Sequence, residues 1–142
     1  MRIAAAAAVL AWLAALSWGD IRDRRLPNTL TLTGAAAVLG AATLAGRGSA
    51  ALAGTVALTA IYLAVHWVAP GGMGGGDVKL ALGLGALTGC FGVGAWFLAA
   101  LGAPLLTAAL GALAMARGAG GAVPHGPSMC LASAAGIALT LL

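Results

Sequence analysis

Six apolar stretches joined by short polar or glycine-rich connections constrain this chain more than any other feature. They cover residues 3–19, 28–46, 50–69, 77–90, 92–116 and 127–142. A helix needs roughly 20 apolar residues to cross a bilayer, and about 17 are tolerated. Apolar residues make up 62% of the chain and charged residues only 7%, far from the composition of a soluble domain. The sequence therefore predicts an all-α, polytopic membrane helix bundle with about six transmembrane helices.

The limits of the short fourth and sixth segments are the least defined by the sequence. For the fourth segment, a start within the glycine-rich loop or an extension through Phe91 stays open. Merging the fourth and fifth segments would give a span too long for one crossing, and "GCFGVG" (89–94) is suited to a tight turn between them. The first segment also resembles a secretory signal. Because further apolar segments follow it without a soluble domain, a retained transmembrane helix is the simpler interpretation.

Cysteine usage indicates neither a metal site nor a disulfide framework. Cys90 and Cys130 lie far apart in apolar segments, with no C-x-x-C pair and no nearby metal ligands. We interpret them as buried thiols that serve as small apolar residues.

The distribution of Lys and Arg predicts the orientation of the chain in the membrane. With six crossings, one side of the membrane carries five of the seven basic residues: Arg22, Arg24, Arg25, Lys79 and Arg117. The other side carries only Arg2 and Arg47. Cytoplasmic loops are enriched in Lys and Arg, so the N-terminus is predicted to lie outside. The net charge of +4 thus reflects topology rather than nucleic-acid binding.

Only three residues are acidic, and two of them are predicted to lie at the same membrane face. Asp20 follows the first segment within "WGDIRDRRLPN", where an ionisable group at membrane depth is costly and usually functional. Asp77 follows the glycine-rich "PGGMGGG" and is predicted to open the fourth helix. Asp23 is interpreted as a boundary acid paired with neighbouring arginines. Asp77 taken alone is better explained as a helix cap.

The glycines of residues 71–76 are expected to take positive φ values and to let the backbone approach other chains closely. They do not form a phosphate-binding loop, because the required Lys-Ser/Thr ending and strand are missing. Two carboxylates in a partly dry site cannot both ionise easily, so Asp20 and Asp77 can share a proton. One then activates water while the other protonates the substrate, which is the chemistry of peptide hydrolysis.

The motifs "GDIRDRRLPN" and "GMGGGDVKL" resemble those of the type IV prepilin peptidase family, membrane aspartyl proteases with a G-x-G-D motif. The first family Asp lies seven residues before a Leu-Pro-Asn/Asp proline, which selects Asp20 here. "VPHGPSM" (123–129) is similar to the family's Pro-x-Gly-Pro turn. The resemblance covers nearly the whole chain and implies a single prepilin peptidase domain, residues 1–142. It implies Asp20 and Asp77 as catalytic residues. Its motifs supply the candidate substrate and loop residues Gly74, Gly75, Gly76, Lys79, Pro27, Asn28, Pro124, Gly126 and Pro127.

The resemblance further implies cleavage of the short basic leader from type IV pilin-like precursors, typically after a Gly, at the cytoplasmic face of the inner or plasma membrane. No cofactor or metal is expected; the expected partners are the precursor and membrane lipid, with a homo-oligomer possible and no nucleic acid. The chain has no four-Cys region, so it resembles the compact class that serves tight-adherence or Flp-type pili, and N-methyltransferase activity is not expected.

His125 replaces an aromatic residue that is frequent at this position of the family's Pro-x-Gly-Pro turn, and it either tunes the site or adds loop polarity. His66 is interpreted as an interfacial residue.

Two functions of other classes fit the same composition. A small proton-coupled transporter also carries intramembrane acids, although such acids usually lie near mid-bilayer depth and on broken helices. A non-catalytic pilus-assembly subunit would use the acids only as caps and salt-bridge partners. The placement of Asp20 and Asp77 at one membrane boundary favours the peptidase.

Overall fold

The computed structural model of the chain describes residues 2–142, and this part consists of helices and their connections. The six helices are α1 (Arg2–Asp23), α2 (Asn28–Leu44), α3 (Gly48–Val68), α4 (Gly75–Phe91), α5 (Val93–Ala116) and α6 (Gly126–Leu141). Each predicted apolar segment coincides with one helix, which confirms the all-α bundle. The largest difference is at the end of α1, which continues to Asp23 and not to residue 19.

The outer surface of the bundle is apolar. Three helices, α1 from Ile3 onward, α3 and α5, are long and apolar enough to cross a membrane, and α2 and α6 are shorter apolar helices. Large apolar side chains on these helices are exposed, among them Leu10, Val56, Leu101, Leu105 and Leu139. Lipid tails solvate such side chains better than water does. The chain is an integral membrane protein.

Helix α4 lies at the centre of the bundle and packs against α2, α3, α5 and α6. Small residues let it approach α3 closely, since a Cβ on Gly85 would lie 2.5 Å from the Gly54 carbonyl oxygen. A Cβ on Gly89 would lie 2.7 Å from the Ala50 carbonyl oxygen. Close backbone approach is how helices associate where lipid gives little hydrophobic drive. Gly85 and Gly89 are therefore the positions at which the backbones of α3 and α4 come close together.

Trp12 fixes α1 against this central helix. Its indole lies in a slot where Gly34 and Gly83 have no side chain, and a Cβ on Gly83 would come within 2.8 Å of the ring. The indole N–H donates a hydrogen bond to the Leu30 carbonyl at 2.9 Å. Trp12 is partly buried, and this bond ties α1 to the first turn of α2.

Candidate functional site

A cavity of about 920 Å³ lies where the end of α1 and the starts of α2 and α4 meet. It contains most of the site residues predicted from sequence, together with three basic side chains. Its lining consists of Gly19, Asp20, Asp23, Arg24, Arg25, Leu26, Pro27, Asn28, Leu30, Gly74, Gly75, Gly76, Asp77 and Lys79. Two segments about fifty residues apart in sequence thus form one polar cavity at one end of the bundle.

Asp20 occupies the last turn of α1, one turn before the helix ends at Asp23. Its side chain is only 8% exposed. The carboxylate Oδ2 accepts a hydrogen bond of 2.9 Å from the backbone N–H of Gly126, the first residue of α6. Free N–H groups and the positive end of the helix dipole favour an anion at such a place. Asp20 therefore ties α1 to the beginning of α6.

Asp77 lies in the first turn of α4 and is 9% exposed. Its Oδ2 accepts a hydrogen bond of 3.2 Å from the N–H of Gly74, while its own N–H donates to the Gly74 carbonyl at 3.1 Å. The capping interpretation is thus confirmed as local geometry. It does not exclude chemistry, because Asp77 also lines the cavity, where its charge and that of Asp20 repel each other.

The glycines before Asp77 differ from the sequence prediction. Among the glycines of the described residues, positive φ values occur at Gly46, Gly92 and Gly118, so the expectation for residues 71–76 is wrong. Gly74 is an extended N-cap residue with φ −74° and ψ 150°. Helix α4 begins at Gly75, within the glycine-rich loop, and runs on through Phe91, so Asp77 lies in its first turn and does not open it. Gly76 is instead close to Leu26, whose Cβ would lie 3.4 Å from an added Cβ.

A hydrogen bond joins the two motif segments at the cavity lining. The Lys79 ammonium donates to the Asn28 side-chain oxygen at 2.9 Å, which joins α4 to the start of α2. Pro27 is the N-cap residue of α2 and has an extended backbone. Lys79 and Asn28 are both exposed, so this bond positions the two loops rather than stabilising the fold strongly.

The Pro-x-Gly-Pro segment meets the site through one of its four residues. Gly126 contacts Asp20, whereas Pro127 lies in the first turn of α6 and Pro124 precedes the helix. Neither proline lines the cavity.

His125 lies between two hydroxyl groups, with Nε2 3.1 Å from the Tyr62 oxygen and Nδ1 2.7 Å from the Thr107 oxygen. Burial lowers the pKa of the His125 imidazole, and the nearby Asp20 charge opposes that shift.

Tyr62 and Thr107 were not predicted from the sequence. Their only signal was a hydroxyl group within an apolar segment, a feature that many other Ser and Thr residues of the chain share. His66 also has a role beyond the predicted interfacial position. Its Nδ1 lies 2.7 Å from the Met73 carbonyl oxygen, a contact that anchors the loop before α4 to the end of α3.

Within residues 2–142, no group of three or more His, Cys, Asp or Glu side chains could hold a metal ion. Both cysteines are free thiols; Cys130 is buried as predicted, and Cys90 is only partly buried.

Comparison with known proteins gives one match. The model of the type IV leader peptidase family matches residues 7–141, which is nearly the whole chain. Neither the curated proteins nor the solved structures gave a match.

Proposed function

The chain belongs to the type IV leader peptidase family, and on that premise we propose that it is an aspartyl endopeptidase whose catalytic pair is Asp20 and Asp77. One observation carries the proposal: two buried carboxylates, from α1 and α4, line a single polar cavity. The substrates are pilin-like precursors, and the bond that is cut joins the short basic leader to the mature pilin.

The proposed reaction needs one proton shared between the two carboxylates. The ionised carboxylate removes a proton from water, whose oxygen attacks the scissile carbonyl carbon, while the protonated one donates its proton to the carbonyl oxygen. The tetrahedral intermediate then collapses: the leaving nitrogen takes the proton from the first carboxyl group, the C–N bond breaks, and one hydroxyl of the intermediate returns its proton to the second carboxylate as it becomes the carbonyl of the new carboxyl group. Like charges at close range make the shared-proton state favourable, as in other carboxylate pairs.

Backbone N–H groups support this arrangement. Gly126 holds one oxygen of Asp20, and Gly74 holds one oxygen of Asp77. Each bond restricts the rotation of a side chain that must stay aligned with a water molecule and a peptide carbonyl. Preorganised groups of this kind do not have to be reoriented during the reaction.

The test is processing of a co-expressed pilin precursor in cells. Asp20→Asn and Asp77→Asn should each abolish cleavage while the protein still accumulates in the membrane. Asp23→Asn is the matched control, because Asp23 lines the same cavity but is exposed; it should retain most of the activity. Normal processing by either of the first two variants would refute the proposal.

The proposal also places the cavity at the cytoplasmic face, on the distribution of Lys and Arg described above. Single cysteines introduced at Arg24, Gly71 and Ser49, after replacement of Cys90 and Cys130, test it, because these three positions are exposed. An impermeant thiol reagent should label the first two only from the cytoplasmic side and the third only from outside. Labelling of the first two from opposite faces would contradict a common site for both acids.

A further inference from the structure

A chain of hydrogen bonds holds His125 between two helices. The Thr107 hydroxyl donates to the Ala103 carbonyl at 3.0 Å, so its oxygen accepts from the imidazole Nδ1–H. Nε2 then carries the lone pair and accepts from the Tyr62 hydroxyl. The three residues Tyr62, His125 and Thr107, here called the histidine clamp, connect α3 and α5 through a neutral imidazole with a defined tautomer.

The histidine clamp acts next to the residue that contacts Asp20. His125 immediately precedes Gly126, whose N–H bonds to the Asp20 carboxylate. The His125 carbonyl accepts from the N–H of Met129, a core residue only 2% exposed, which fixes the first turn of α6. Both the side chain and the main chain of His125 are thus held by hydrogen bonds. The Gly126 N–H belongs to the peptide bond between His125 and Gly126, so it is held with them.

The fit between Gly126 and Asp20 leaves little tolerance for movement. A Cβ on Gly126 would lie only 2.6 Å from the Asp20 Oδ2 and 3.1 Å from its carboxyl carbon. A small rotation of the 125–126 peptide therefore either lengthens the hydrogen bond or presses the backbone against the carboxylate. Misplacement of a reacting group by about 1 Å can lower a rate by about 10²-fold.

We propose that His125 is a positioning residue for Asp20: the histidine clamp fixes the 125–126 peptide so that the Gly126 N–H holds the carboxylate in its reactive orientation. The inference rests on the proposed function of Asp20. It assigns roles to Tyr62 and Thr107, which lie outside the cavity lining, and explains why an imidazole that donates at one nitrogen and accepts at the other occupies position 125. The lowered pKa of His125 agrees with a neutral clamp.

The test compares three variants of the full-length protein in detergent or lipid, with a leader-containing pilin peptide as substrate. His125→Phe keeps a ring but removes both hydrogen bonds, and Tyr62→Phe removes only the donor to Nε2. His125→Gln supplies one donor and one acceptor, so it is the conservative variant. Thr59→Val is the matched control, because Thr59 is one turn from Tyr62 on α3 and its buried hydroxyl has no hydrogen-bond partner.

His125→Phe should lower kcat about tenfold, with KM within about twofold of wild type. His125→Gln should keep most of the kcat that His125→Phe loses. Tyr62→Phe should lower kcat in the wild-type background but have no further effect in the His125→Phe background, because the two residues act through one bond. Thr59→Val should match wild type. Thermal unfolding of each variant identifies any that is misfolded. If His125→Phe is misfolded, His125→Gln and Tyr62→Phe keep the test valid.

Two outcomes separate this inference from the proposed function. Inactive Asp20→Asn together with wild-type kcat in His125→Phe would overturn the histidine clamp alone. If His125→Phe is misfolded, wild-type kcat in Tyr62→Phe would overturn it in the same way. Active Asp20→Asn would overturn the proposed function, and the histidine clamp would then have no carboxylate to position. Equal kcat losses in His125→Gln and His125→Phe would also overturn the inference, because packing rather than hydrogen bonding would then explain them.

Discussion

Replacing Gly126 with alanine tests the contact on which Asp20 depends. The new Cβ would lie 2.6 Å from the carboxylate oxygen, whereas an ordinary contact begins at 3.4 Å, so the two atoms must separate by at least 0.8 Å. The hydrogen bond from the Gly126 N–H, now 2.9 Å long, would be lengthened or broken. We expect kcat to fall by about 10- to 100-fold, which corresponds to about 1.4 to 2.7 kcal/mol of transition-state stabilisation.

The assay is the steady-state cleavage of a leader-containing peptide by purified variants. Gly94→Ala is the matched control: Gly94 also lies in the first turn of its helix, α5, and an added Cβ there meets nothing within 4 Å. It should leave kcat unchanged. If Gly126→Ala kept wild-type kcat while its thermal stability was also unchanged, the close contact would have no part in placing Asp20.

Two further predictions concern the loop before α4 and the titration of His125. Gly76→Ala should lower kcat/KM by roughly tenfold, because it adds a Cβ to the backbone next to Asp77, where we propose that the substrate lies; that Cβ is in ordinary contact with Leu26 at 3.4 Å. Gly75→Ala meets nothing within 4 Å and should be milder, and equal activity of the two variants would remove any special role of residue 76. Because burial lowers the pKa of His125 below its ordinary value of 6.5, the unfolded chain binds a proton before the folded one as the pH falls. The stability that neutral His125 contributes should therefore be lost as the pH falls below 6.5, so the melting temperature of the wild type relative to His125→Gln should decrease in that range; the nearby charges are Asp20 and, acting on Tyr62, Asp77. An identical pH dependence in both proteins would exclude His125 as its source.

The helices could be predicted from sequence because a single physical requirement defines them. Every apolar run long enough to cross a bilayer must be helical if its backbone polar groups are to be satisfied. The same reasoning brought Asp20 and Asp77 to one end of the bundle, since an even number of crossings separates them. The end of α1 was predicted four residues too early, because Asp20 and Asp23 were read as boundary residues although the last helical turn accommodates them.

The contacts between distant segments could not be predicted. Which backbone N–H meets the Asp20 carboxylate depends on how α6 packs against α1, and no local pattern in the sequence encodes that. The histidine clamp likewise requires α3 and α5 to approach the loop before α6 from two sides. The glycines before Asp77 were misread for a different reason: a glycine run permits positive φ but does not require it, and here helix α4 extends into the run.

The central claim is that Asp20 and Asp77 act as one unit, and single-turnover cleavage rates of three purified variants test it most directly. These are Asp20→Asn, Asp77→Asn and the double variant, assayed on one leader-containing peptide after each is shown to be folded. When two residues act as one unit, removing either one lowers the rate about as much as removing both. The account predicts that both single variants are as slow as the double variant. A single variant that keeps substantial activity, or losses that multiply in the double variant, would contradict it.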